Sequence, residues 1–184
     1  GLDAPELRPA HVSPPFTRRR ISLRAERKGR RIILGFNEAK SHKIIDLRQC
    51  DVMAPELFAL IEPLRGLLLH LIADKRAGGV QMTLADQGVD LLLDKVAASG
   101  LAAAEALTDF ATTHRLARLA LDEGYGPEAR WEPQPVTVTL GGRAVPLPFG
   151  VFLQATADGE AALVEAVREA VGDAATVVDL FAGL

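Results

Sequence analysis

The stretch from Arg18 to Phe36 limits the fold more than any other part of the chain. Its first half, RRRISLRAE, alternates: Ile21, Leu23 and Ala25 share one face, while Arg20, Ser22 and Arg24 share the other. Strand side chains alternate with a period of two, so this pattern specifies a half-buried strand with a basic outer face. Lys28-Gly29 provides a turn, and RRIILGF returns as a second strand. A third short strand, Lys43 to Leu47, is expected to pair nearby. Residues Gly1 to Thr17, with their prolines and little periodicity, read as an extended lead-in.

A strongly helical segment follows. Leu57, Leu60, Ile61, Leu64, Leu67, Leu68, Leu71 and Ile72 repeat at three-and-four spacing within Asp51 to Lys75, which makes one buried stripe. Pro55 suits a first turn, whereas Pro63 removes an internal hydrogen bond and should kink or split the helix. Gly78 and Gly79 are expected to end it. Val80 to Ala85 and Val89 to Lys95 look like a hairpin around Asp86-Gln87-Gly88. Leu101 to His114 reads as a second helix and Leu116 to Asp122 as a strand.

The texture changes after Trp131. Val136 to Leu140 and Ala144 to Leu147 flank Gly141-Gly142, a tight hairpin signal. Next comes FGVFLQ, then Asp158 as the expected N-cap of a helix to Val171, with Leu163, Val164, Val167 and Val171 facing inward. The closing VVDLFAGL reads as a buried strand over Val177 to Leu180 that delivers Asp179 and Gly183 into a tight turn. In doubly wound sheets a cofactor site opens at such a turn. The helix that should follow is absent, so the chain is expected to be a piece of a larger enzyme.

Charge is unevenly placed. Thr17 to Arg48 holds eleven Lys and Arg against three acids, and the remaining positions hold ten bases and twenty-one acids. A block of that kind creates a local field suited to a polyanion, although a merely solvated hairpin face has the same composition. The longest apolar stretch, Gly66 to Ala73, is too short to cross a bilayer, and no membrane partner is expected. Leu2 to Pro15 lacks the apolar core of a secretory leader, so the expected compartment is the cytoplasm. The single cysteine, Cys50, rules out an internal disulfide framework. The four histidines (His11, His42, His70 and His114) show no metal-ligand spacing.

Taken in order, RRRISLRA, GF, IIDLRQCDVMAPEL, FGVFLQ and DLFAGL resemble the bacterial RNA (uracil-5-)-methyltransferases. These enzymes methylate uridine in ribosomal or transfer RNA. The resemblance runs over almost the whole chain, and Val80 to Trp131 carries no motif that matches. It implies an α+β chain in three parts. Residues 1–17 are the lead-in, and 18–131 form a central RNA-binding domain of antiparallel sheet with packed helices. Residues 132–184 then begin a truncated Rossmann-like domain that uses S-adenosylmethionine. The resemblance also implies residue roles: Gln154 lines the cofactor and uracil pocket, and Phe181, Asp179 and Gly183 meet S-adenosylmethionine. Arg18, Arg19, Arg20 and Arg24 would contact RNA, with ribosomal RNA favoured over transfer RNA.

Cys50 would correspond to one of four thiolates that hold a 4Fe-4S cluster in the ribosomal branch of the family. A single thiolate cannot hold such a cluster, so none is expected in this chain. The family's reaction adds a cysteine thiolate to carbon 6 of uracil, transfers methyl to carbon 5, and removes the remaining proton with a base. The resemblance places that nucleophile and that base beyond Leu184, so the chain is expected to be inactive alone. Its terminal apolar strand is expected to associate with other chains through an exposed edge. A stand-alone nucleic-acid-binding α+β domain without catalysis is the alternative, as is a methyltransferase of a different substrate.

Overall fold

The structure, a computed structural model, describes residues 9–41 and 43–180. Its centre is a seven-stranded sheet. In chain order the strands are β1 (Arg20–Lys28), β2 (Arg31–Asn37), β3 (Ile44–Asp46), β4 (Ala77–Ala85), β5 (Gly88–Asp94), β6 (Arg118–Asp122) and β7 (Pro127–Trp131). Their spatial order is β3-β2-β1-β4-β5-β6-β7. Neighbours pair antiparallel except β5 and β6, which run parallel. That pair needs a crossover, and α3 (Leu101–Thr113) supplies it. The fold is therefore α+β, with a predominantly antiparallel sheet.

Register explains why one face is dry. Ile21 lies opposite Met82, Met82 opposite Leu91, and Leu91 opposite Leu119. Leu23, Val80, Leu93 and Leu121 form the next such row. Both rows are buried beneath Leu57 of α1 (Pro55–Phe58), Leu64, Leu68 and Leu71 of α2 (Ile61–Leu71), and Leu107 and Ala111 of α3. The opposite face carries Arg20, Thr83, Asp90 and Arg118 in one row and Arg24, Gly79, Asp94 and Asp122 in another.

The long helix does split, but not at Pro63. It breaks at Ala59–Leu60, and Pro63 becomes the third residue of α2, where an amide would have no helical acceptor. Gly78 and Gly79 do not stop a helix; both lie buried in β4. A Cβ at Gly79 would stand 1.7 Å from an Asp94 carboxylate oxygen and would have to displace that side chain. One at Gly35 would meet the Ile45 backbone carbonyl at 1.8 Å, so the close approach of β3 demands glycine at 35.

Beyond β7, the hairpin β8 (Thr137–Leu140) and β9 (Arg143–Pro146) forms as expected. Val136, Val138, Leu147 and Leu153 build a second small core with Ala85 and Ala117 of the main body. Helix α4 (Ala157–Val171) is capped by Thr156 rather than Asp158: the Thr156 hydroxyl accepts from the Gly159 amide at 3.1 Å. The expected inward face of α4 is not covered, because Leu163, Val164 and Val167 are exposed and no residue of the helix is buried. Residues 177–180 form no strand, and Val177, Val178 and Leu180 are exposed. A strand exists only through ladder partners, and no described strand pairs with this segment. The expected turn residues Phe181 and Gly183 lie outside the described residues.

Candidate functional site

FGVFLQ, residues 149–154, crosses the helix-free side of the sheet, and three arginines attach it there. Arg118 forms a two-pronged pair with Asp90, both bonds 2.8 Å, and donates a third bond to the Leu147 carbonyl at 3.0 Å. Its guanidinium also lies 4.0 Å from the centre of the Phe149 ring. Asp90 and Arg118 are directly opposite in the parallel β5–β6 pair, and both are buried. One residue along, Gly150 approaches Leu92 on the same sheet face. Arg20 then lies 5.2 Å from the ring centre of Phe152, which is itself largely exposed.

Arg19 makes the third attachment. Its amide donates to the Ala155 carbonyl at 2.8 Å, and its Nε donates to the Gln154 carbonyl at 3.2 Å. Its terminal nitrogen pairs with Glu160, in the first turn of α4, at 2.5 Å. The lead-in reinforces this clasp: Ser13 and Thr156 share a hydroxyl hydrogen bond of 2.8 Å, and His11 meets Asp158 at 2.7 Å. The His11 ring holds the Asp158 carboxyl down at about 2, with help from Ser13.

The residues expected to matter are thus distributed unevenly. Gln154 is half-buried, and its backbone is fixed by Arg19. Asp179 is exposed in coil. Among the expected RNA contacts, Arg18 is exposed, Arg20 accompanies Phe152, and Arg24 is half-buried between Gly35 and Gly79 of the flanking strands. Arg19 departs from a basic outer face because Glu160 takes its charge. Elsewhere in the basic block, Arg27 is used internally on the carbonyls of Gly29, Leu69 and Ile72, and Asp46 pairs with Arg48 and Arg65. Arg118 and Asp90 are not among the residues expected to form the site. Their signal was a charge inside each of two apolar strands, a placement that requires a buried partner.

Two implied groups can be tested against these residues. Gln154, half-buried and two residues beyond the exposed Phe152, is the expected cofactor-pocket residue that lies among the described residues with Asp179. Cys50 is half-buried on a cavity of about 330 Å³ walled by Phe16, Met53 and Phe58. Among the described residues no cluster of three or more His, Cys, Asp or Glu could hold a metal. One cysteine supplies one of the four thiolates that a 4Fe-4S cluster needs, so the residues of this chain alone do not fit that group.

Comparison with known proteins gives this geometry a context. No family model matches the chain. An uncharacterized RNA methyltransferase of Zymomonas mobilis is 49% identical over all 184 residues, which make up 46% of that protein. Over its whole length the chain is thus similar to a protein named as an RNA methyltransferase. A second uncharacterized RNA methyltransferase, from Brucella suis, is 34% identical over the whole chain and 43% of its own length. The 23S rRNA (uracil(1939)-C(5))-methyltransferase RlmD of Pectobacterium atrosepticum is 38% identical over 94 residues, 51% of this chain and 21% of that protein. The chain spans a little under half the length of the Zymomonas and Brucella relatives. Among its described residues no helix is long and apolar enough to cross a membrane.

Proposed function

We propose that this chain is the RNA-docking sheet and cofactor-approach segment of an S-adenosylmethionine-dependent RNA (uracil-5-)-methyltransferase. Whole-chain similarity to proteins named RNA methyltransferases is the observation that carries this reading. The finer specificity, carbon 5 of a uridine in ribosomal RNA, draws support from the RlmD similarity and from the FGVFLQ and DLFAGL motifs. Residues 132–184 would begin the Rossmann-like methyltransferase domain.

In this reading the helix-free face and its margins meet single-stranded or looped RNA through phosphates, using Arg18, Arg20 and Arg24. Gln154 presents an amide, both donor and acceptor, where the edge of an extruded base could pair with it. S-adenosylmethionine, held by Gln154, Asp179, Phe181 and Gly183, would supply the methyl group. Cys50 is not the nucleophile: it opens onto a cavity that Gln154 does not line. The thiolate and the base come from other parts of the whole protein, so the chain alone binds RNA without methylating it.

The test compares the full-length protein carrying this chain with the chain alone, each given S-adenosylmethionine with a labelled methyl group and a 23S rRNA transcript. Label at carbon 5 of uridine with the full-length protein alone is expected. Label on another base, or on protein, would overturn the uridine assignment.

A further inference from the structure

Arg19 looked from its sequence like one of a run of phosphate contacts, yet all its described interactions point back into the protein. Its amide, its Nε and its terminal nitrogen reach Ala155, Gln154 and Glu160, and its carbonyl accepts from Leu84 of β4 at 2.7 Å. One residue thereby ties the central sheet to the Gln154 and Ala155 carbonyls and to the start of α4. Leu153, buried in the second core, fixes the preceding position. The carbonyls of 154 and 155 are both engaged by Arg19, so the backbone that carries the Gln154 side chain is held against the central sheet. No side-chain hydrogen bond of the Gln154 amide occurs among the described contacts, so that group is free to meet a ligand.

We propose that Arg19 is a positioning residue: it sets where the central sheet presents the Gln154 amide to substrate or cofactor. The inference rests on the role proposed above for Gln154. A guanidinium suits the task because its planar fork can serve a carbonyl and a carboxylate at once, which a lysine ammonium in the same place does poorly. Arg20, one residue on, faces the aromatic Phe152, so adjacent arginines serve opposite purposes.

Two measurements separate this claim from the reading beneath it. The first needs no activity: amide hydrogen exchange in this chain at position 19, Gly159 and Glu160, in wild type, Arg19→Ala, Arg19→Lys and Glu160→Gln. Exchange at least tenfold faster in Arg19→Ala is expected, with smaller changes in the other two and with β4–β5 amides still protected. Unchanged exchange in all three variants would overturn the proposal. The second uses the full-length protein with a 23S rRNA transcript. Arg19→Ala should lower kcat about tenfold, with KM for RNA and its salt dependence unchanged, and Arg19→Lys should recover only part of the loss. A raised KM with a flattened salt slope and unchanged kcat would instead make Arg19 a phosphate contact. Should the wild-type full-length protein methylate no RNA, the methyltransferase reading fails, and the exchange result alone decides whether Arg19 holds this segment.

Discussion

Single side chains in this molecule act mostly as ties between distant segments. Asp90 and Arg118 are 28 positions apart, buried and paired at two points, and Arg118 also holds Leu147 and Phe149. Removing one partner strands a buried charge, so Arg118→Met should cost about 3–5 kcal/mol, measured by urea unfolding. The double change Asp90→Leu with Arg118→Met should restore much of that loss. Asp46 shows another balance: burial raises its pKa, but hydrogen bonds from Arg65 and the Leu34 amide, with Arg48 nearby, bring it below the ordinary 3.8. Asp158, beside His11, titrates at about 2. Because that value is depressed, the contact contributes above the ordinary carboxylate range and is lost as pH falls through about 2. In His11→Ala the Asp158 titration, followed by NMR, should move up toward 3.8.

Elements owe their stability to which of their faces is covered. Leu68 of α2 is fully buried over the sheet. Leu68→Ala leaves a cavity that the surrounding strands fill only partly, and should cost about 2–5 kcal/mol in chemical denaturation. Helix α4 differs, since none of its residues is buried and its anchorage lies at its first turn. Thr156 caps Gly159 and also meets Ser13, so Thr156→Ala should lose about 1 kcal/mol and fray the start of α4. Hydrogen exchange would show that change as faster Gly159 and Glu160 amides, with α2 unaffected.

At the scale of the whole molecule, the sheet divides labour between a helix-covered face and a face crossed by residues 147–154. Arg18→Ala, Arg20→Ala and Arg24→Ala combined should lower RNA affinity and reduce the slope of log K against log salt by about 2, as measured by fluorescence anisotropy. An unchanged slope would move the RNA elsewhere on the surface. Much of this architecture was legible in the chain. The alternation in RRRISLRAE, the leucine stripe of α2, the Gly141-Gly142 hairpin and the crossover helix each express a period or a turn within a few residues, and local sterics enforce them. Other features were not legible: the parallel β5–β6 pairing, the strand β7, the Asp90–Arg118 pair and the inward turn of Arg19 all depend on which segments become neighbours. So the sequence determined which faces are apolar and where turns fall, because those follow from backbone geometry along a few residues. Only the tertiary structure decided which charges remain for a ligand, because a guanidinium is free or occupied according to the carboxylate or carbonyl that folding places beside it.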